Sequence, residues 1–246
     1  MTTKKTQQLA VMLKEAHHVV VLTGAGVSTE SGIPDFRTPE SGLWAQMDPL
    51  EVFSRRVLYS DPEMFWQRAE PLFSRLLEAE PNPCHRGLSR LEEAGFIGRI
   101  ITQNIDSLHQ QAGSKRVMEV HGHLRSGSCM TCGSTQPLEQ LLETVRRGNG
   151  APGCKCGGIM RPDVVLFEDP LPEVFEEAWR LVTASDLLLV VGSSLEVAPV
   201  CWLAERARQL AIVNMSSTGY DYRAGLIIRG KAGHVISDLA KHLGAW

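Results

Sequence analysis

The amino-acid sequence predicts an α/β fold, a doubly wound parallel sheet carrying a smaller inserted unit. Three observations predict it. Four short apolar runs have the length and the Val, Ile and Leu content of buried parallel strands: residues 18–22 (HVVVL), 97–101 (IGRII), 186–191 (DLLLVV) and 210–213 (LAIV). Amphipathic stretches of helical period alternate with these runs, the pattern of a sheet joined by crossover helices. Two segments, 38–80 and 125–161, break the alternation, and the second holds four of the six cysteines.

Each element has its own signal. Residues 6–16 place Leu9, Met12, Leu13 and Ala16 at helical spacing, and residues 83–94 do the same with Leu88, Leu91 and Ala94. Residues 172–185 gather Val174, Phe175, Ala178, Trp179, Leu181 and Val182 on one side. Residues 199–209 open on Pro199, whose fixed φ suits a first helical turn. Within 38–80, Phe65, Ala69, Leu72 and Leu76 recur at i, i+3/i+4 spacing, and Pro71 should start or kink a helix there. Within 125–161, a helical run over 138–147 is closed by Gly148, Asn149 and Gly150. Both segments read as insertions over the sheet. Met47, Met64, Trp44, Trp66, Trp179 and Trp202 read as core.

Composition sets the outer bounds. With 246 residues, 43% apolar and 22% charged, the chain can bury a real core in one or two domains. No run of 18 apolar residues occurs, so no membrane span is expected. The polar segment 1–8 lacks the apolar stretch of a secretory signal, which predicts a cytoplasmic protein. A net charge of −3 argues against non-specific nucleic-acid or membrane-surface binding.

Four places carry chemistry. The first run enters Thr23-Gly24-Ala25-Gly26-Val27-Ser28-Thr29, a strand followed by a glycine-rich turn, where backbone N–H groups meet phosphate. Gly24 and Gly26 fit the dinucleotide fingerprint, but Thr29 stands at its third glycine and no acidic strand end follows about 20 residues on. An ordinary hydride-transfer dehydrogenase is therefore disfavoured, and a tight turn without ligand stays open. Cys129-x-x-Cys132 and Cys154-x-Cys156, separated by 21 residues, can supply the four sulfurs of a structural zinc site. Four free or redox thiols are the alternative. Gln103, Asn104 and Asp106 follow the run ending at Ile101, where open sheets bind ligands, although Asn104 and Asp106 could simply cap a helix near Ser107. His121 before Gly122 is a candidate general base, with His109 and His123 as competitors. Gly192-Ser193-Ser194 and Asn214 end two further runs at the same sheet edge, and that convergence points to one crevice.

Taken together, these stretches resemble the sirtuin family of NAD-dependent protein deacylases. The resemblance runs from Val19 to about Leu243 and rests on residues 24–37 (GAGVSTESGIPDFR), 102–106 (TQNID), His121-Gly122, the four cysteines, 161–167 (RPDVVLF), 192–199 (GSSLEVAP) and Val213-Asn214. It implies a Rossmann-like parallel-sheet domain over residues 1–38, 82–124 and 162–246. A smaller inserted domain would combine a helical module, 39–81, with a zinc-ribbon module, 125–161, around one structural zinc. It implies a protein lysine deacetylase that consumes NAD and releases nicotinamide, free lysine and O-acyl-ADP-ribose, with acetylated proteins or peptides as partners. Carried over by position, Gly24, Ala25, Gly26, Asp35, Phe36, Arg37, Gln103, Asn104, Ile105, Asp106, Gly192, Ser193 and Asn214 would contact NAD. Ala232, in a weaker match to the late adenine-side loop, would join them. His121, with Asn104 and Asp106, would be catalytic, and Val165, Phe167, Glu168, Glu196 and Val197 would meet the peptide. One departure stands out: Glu168 occupies the place of the family's usual glycine after Phe167. The rival readings are a mono-ADP-ribosyltransferase using the same cleft and a non-catalytic zinc-ribbon binding module. Against the latter, segment 125–161 is only mildly basic and lacks Phe, Tyr and Trp.

Overall fold

In the computed structural model of the chain, residues 2–34 and 49–246 are described. The expected cofactor residues Asp35, Phe36 and Arg37 lie outside them, as do Trp44 and Met47. Six strands form a wholly parallel sheet: β1 Val19–Thr23, β2 Arg99–Thr102, β3 Val117–Glu119, β7 Leu187–Val191, β8 Gln209–Val213 and β9 Leu226–Ile228. Their order is β3-β2-β1-β7-β8-β9, the order of a Rossmann fold.

Every residue of β1 and β7 is buried, which is why these strands read as unbroken apolar runs and not as alternating ones. The pleat divides them by parity. Val19, Val21, Leu187 and Leu189 face a core closed by helices α1 Thr2–Glu15, α5 Pro83–Glu93 and α10 Ala232–His242. Val20, Leu22, Leu188 and Val190 face a second core under α8 Val174–Ala184 and α9 Leu203–Arg206. The helix expected from Pro199 to Gln209 is shorter: a 3-10 turn over Val200–Trp202 runs into α9, and the chain re-enters β8 at Gln209. That break leaves Trp202 47% exposed, against the expectation of a core side chain.

A third core lies outside the sheet. It gathers Phe65, Trp66, Ala69, Phe73 and Leu76 of α4 (Pro62–Glu78) with Leu141 and Leu142 of α7 (Leu138–Arg146). A small antiparallel sheet, β5-β4-β6, completes it with Leu124, Cys129 and Met160; its strands are β4 Gly122–Cys129, β5 Thr135–Pro137 and β6 Met160–Val164. The Trp66 indole N–H donates to the Met160 carbonyl at 3.1 Å, tying helix to ribbon. Helix α4 runs through Pro71, and its long buried face holds the turn that the missing N–H weakens. Short helices α2 (Pro49–Val52), α3 (Arg55–Ser60) and α6 (Leu108–Gln111) complete the described elements used below. Among the described residues no helix is long and apolar enough to cross a membrane.

Candidate active site

Four neighbouring strand ends supply the expected crevice residues. In sheet order they are Gln103 after β2, Gly24 after β1, Gly192 after β7 and Asn214 after β8. The chain winds outward in opposite directions from β1 and β7, and open α/β sheets bind ligands outside the carboxyl ends of the strands at such a point. There the two turns interlock. The Gly26 N–H donates to the Gly192 carbonyl at 2.8 Å, and a Cβ on Gly26 would stand 2.8 Å from the Gly192 Cα. Gly24 lies equally close to Ser193. These glycines therefore have a packing reason beside the phosphate-binding one given by their sequence.

Around this floor the polar side chains form one network. Gln103 donates through Nε2 to the Ser193 hydroxyl at 3.0 Å. Asn104 donates through Nδ2 to the Gly24 carbonyl at 3.1 Å and to Ser28 Oγ at 3.0 Å. Ser28 in turn donates to Asp106 Oδ2 at 2.6 Å, while Oδ1 accepts from the Leu108 N–H at 2.9 Å. Burial raises the Asp106 carboxyl above its ordinary value, and the Ser28 and Leu108 donors partly offset that rise. His85 completes the network from below. Its Nδ1 accepts from the Asn82 N–H at 3.3 Å in the capping box of α5, so Nε2 carries the proton toward Ser28 Oγ at 3.4 Å. Burial lowers the His85 pKa to about 4, which keeps the ring neutral.

His121 sits at the edge of this network, half-buried. Its Nδ1 lies 3.0 Å from the Gln103 carbonyl, which can only accept. The proton is therefore on Nδ1, and the lone pair on Nε2 is left for chemistry. Burial lowers the His121 pKa and the Gln103 hydrogen bond opposes it, so the ring is neutral at pH 7. Gly122 is needed beside it: φ is +77°, and a Cβ would meet the Asp163 carbonyl at 2.2 Å. The competitors differ. His109 is fully buried, bonds Thr23 Oγ1 at 2.9 Å and is held far below its ordinary pKa by burial. His123 lies on β4, with its Nδ1 buried and unpartnered.

The expected peptide side lies next to His121. The Val165 N–H donates to the His121 carbonyl at 2.8 Å. Phe167 pairs with Ser54 in a parallel bridge, donating to the Phe53 carbonyl at 2.9 Å and accepting from the Arg55 N–H at 2.8 Å. Glu168 adopts φ +72°, the conformation that favours the glycine it replaces, and its carboxylate accepts from the Arg56 N–H at 3.0 Å in the first turn of α3. Ser107 and Leu195 are the other left-handed non-glycine residues among those described. Glu196 is exposed and Val197 half-buried, and the Val197 carbonyl accepts from Cys201 at the following 3-10 turn. Asn214 is nine-tenths buried and donates to the Ser216 carbonyl at 3.0 Å, while Ala232 is buried in the core that holds Val27. Sequence reasoning passed over Ser28 and His85, although the Asn82-to-His85 spacing is itself a capping-box signal.

The four cysteine sulfurs all lie within 4.8 Å of one another. Cys129 and Cys156 are 3.5 Å apart, and Cys132 and Cys154 are 3.7 Å apart. A tetrahedron with metal–sulfur bonds of about 2.3 Å has sulfurs about 3.8 Å apart, so the set fits zinc. The short distances cross between the two pairs, which lets the one-residue spacing of Cys154 and Cys156 serve. The Ser134 hydroxyl beside Cys132 lowers its thiol to about 6, toward the ligating thiolate.

With this geometry in hand, the comparisons are specific. Residues 24–199 match the profile described as the Sir2 family. The chain is 50% identical over 234 residues to NAD-dependent protein deacetylase 2 of Caldanaerobacter subterraneus subsp. tengcongensis, covering 95% of this chain and 94% of that one. A solved Sir2 structure with a deacetylated p53 peptide and 3'-O-acetyl-ADP-ribose superposes with a TM-score of 0.91 at 36% identity, covering 97% of this chain and 98% of that one. A Sir2 structure with a p53 peptide and NAD+ gives 0.89 at 36% identity, covering 98% and 99%. The crevice at the switch point and the match across nearly the whole length agree: the chain belongs to the Sir2 family.

Proposed function

We infer that the chain is an NAD-dependent protein lysine deacetylase, consuming NAD and yielding nicotinamide, free lysine and O-acyl-ADP-ribose. The observation that carries this reading is a neutral His121 whose Nδ1 is committed to the Gln103 carbonyl, beside the Asn104–Ser28–Asp106 network at the switch point. NAD, as co-substrate, would supply a ribose carbon that the acyl carbonyl oxygen attacks as nicotinamide leaves, a C–O bond forming for the C–N bond broken. His121 Nε2 would take the proton of a ribose hydroxyl so that its oxygen attacks the acyl carbon, and water would then complete the release of free lysine. Asn104 is held by Gly24 and Ser28, and Ser28 is anchored by Asp106, which fixes the Asn104 side chain at the crevice floor. Gln103, Ser193 and Asn214, at the strand ends, and Ala232, at the start of α10, would meet the ribose and adenosine. Residues 165–168 offer a backbone edge to the peptide.

The same reading divides the chain into a sheet domain, 1–38, 82–124 and 162–246, with a helical module, 39–81, and a zinc ribbon, 125–161. The separate six- and three-stranded sheets support two units, with β4 and β6 of the smaller sheet crossing the boundaries at 124/125 and 161/162. The cytoplasm is its place, since unpaired thiols and a thiolate metal site suit a reducing compartment. Mixing the purified chain with NAD and an acetyl-lysine peptide tests the function. One nicotinamide released per acetyl mass lost is expected. Gain of an ADP-ribose mass on protein, with the acetyl retained, would indicate transfer instead.

Acyl preference follows from the lining. By the family resemblance Ile105, Val165 and Phe167 would line the acyl group, and all three are apolar, so acetyl should be removed far faster than succinyl. An unpaired carboxylate there costs several kcal/mol. Arg68, the cation nearest in sequence to the buried face of α4, is exposed, whereas Phe65, Trp66 and Ala69 are buried. Matched acetyl and succinyl peptides should differ in kcat/KM by about 100-fold or more. Equal rates would mean that a cation reaches the acyl end.

Glu168 carries a smaller expectation. Its carboxylate is already engaged by the Arg56 N–H, with the Arg56 guanidinium at 3.8 Å, so little charge is left to select basic peptides. Glu168→Gly should change the ratio of rates on basic and acidic peptides by less than about fivefold. A larger change would show that the carboxylate faces the peptide.

A further inference from the structure

We infer that Glu30 is a positioning residue for NAD, a strut that fixes the turn after β1 to the first turn of α10. The inference rests on the reading that Ala232 and Asn214 meet the adenosine end of NAD. Glu30 lies in the 3-10 turn Thr29–Ser31, directly after Ser28 of the active-site network. Its Oε2 accepts from the backbone N–H of Gly233 at 2.7 Å, across 203 residues of sequence. That N–H is one of the donors that a helix start leaves unpaired, and Lys231, at the cap position of α10, makes no side-chain cap. Glu30 thus supplies the cap that the local sequence lacks, and a carboxylate there also complements the helix dipole.

Two further observations support a built contact. A glycine inside a helix is less favourable than alanine, so Gly233 needs a reason. A Cβ there would stand 2.6 Å from Glu30 Oε2, so the carboxylate occupies the space that a side chain would fill. The turn that carries Glu30 is itself pinned. Ser31 Oγ donates to the Glu80 carbonyl at 2.6 Å, and Asn82 Nδ2 donates to the Val27 carbonyl at 2.7 Å and to Ser31 Oγ at 3.0 Å. The rigid turn therefore transmits the position of α10. In the sheet, β1 and β9 are separated by β7 and β8, so this bond fixes the spacing between the Ser28 end of the crevice and the Ala232 end. NAD must span that distance.

The test is a double-mutant cycle read by NAD binding calorimetry and by steady-state kinetics. Glu30→Ala should raise the Kd and the KM for NAD about three- to tenfold, the worth of a charged cap at a helix start. The kcat at saturating NAD and the KM for peptide should stay unchanged. Glu30→Gln keeps an oxygen acceptor for the Gly233 N–H but loses the charge, and should fall between wild type and Glu30→Ala. Gly233→Ala should weaken NAD as Glu30→Ala does by displacing the carboxylate, yet add nothing in the Glu30→Ala background, where the clash is gone. Equal NAD affinity in wild type and Glu30→Ala, or a Gly233→Ala effect of the same size in both backgrounds, overturns this inference alone. A wild type that binds no NAD overturns it together with the reading on which it rests.

Discussion

His121→Ala is expected to fold, to bind NAD, and to lose deacetylation by about 100- to 10,000-fold, the usual contribution of a positioned general base. The case is geometric first. Nδ1 is spent on the Gln103 carbonyl at 3.0 Å, so the substitution removes a lone pair on Nε2 and little else that holds the fold. It is electrostatic second. Burial lowers the His121 pKa below its ordinary value of 6.5, and only the deprotonated ring can accept a proton. In wild type, kcat/KM should therefore hold on a plateau at neutral pH and fall only as pH drops below about 6.5, with that acid limb absent from the residual activity of His121→Ala. His109→Ala should instead show lowered stability, because a fully buried ring bonded to Thr23 leaves a cavity and an unpaired hydroxyl. If His121→Ala kept its activity while His123→Ala lost it, the assignment would move to His123.

The reach of the sequence can be judged element by element. Strands β1, β7 and β8 were legible because both faces of the sheet are covered, and burial on both faces leaves a continuous apolar run. The run at 97–101 was placed two residues early: Ile97 is fully buried, but its N–H bonds back to the Leu91 carbonyl, and β2 begins at Arg99. Strands β3 and β9 have three residues each, too few for any period to show. Strand β4 reads GHLRSGSC and shifts register between Gly122 and Gly127, which spoils the alternation that a half-buried strand should display. Helix α10 has buried apolar positions at Val235, Ile236, Leu239 and Ala240, yet no start signal, because its cap comes from Glu30. The site divides in the same way. Strand ends and the His-Gly step are local patterns and could be read directly. Ser28 and His85 act only through partners brought from three elements, so their part appears with the fold.

Freshly purified protein should contain about one zinc per chain, and removing any one thiolate should cost stability before it costs chemistry. Metal binding that needs an assembled ligand set is coupled to folding, so its free energy is folding free energy. Here the ligands join a shared core. Cys129 is buried with Trp66, Phe65 and Leu141, and the Trp66 indole bonds the Met160 carbonyl on the strand beside it. Loosening the ribbon therefore loosens α4 as well. The ribbon also leads, through β6, into Val165 and Phe167 beside His121. A loss of about 4 kcal/mol would lower the Tm of a chain this size by roughly 8–16 °C, an effect well outside measurement error. Cys156→Ser is the most informative variant, because Cys156 is exposed and its replacement disturbs no core packing, so a drop in Tm reports the metal alone. The same drop should follow treatment of wild type with a chelator, and zinc should reverse it in wild type but only weakly in Cys156→Ser. Activity should track the folded fraction in each case, since the four sulfurs bond one another, Thr131 and Ser134 and none of Ser28, Asp106 or His121. Fresh protein without zinc, or Cys156→Ser melting with wild type, would leave four free thiols as the correct reading.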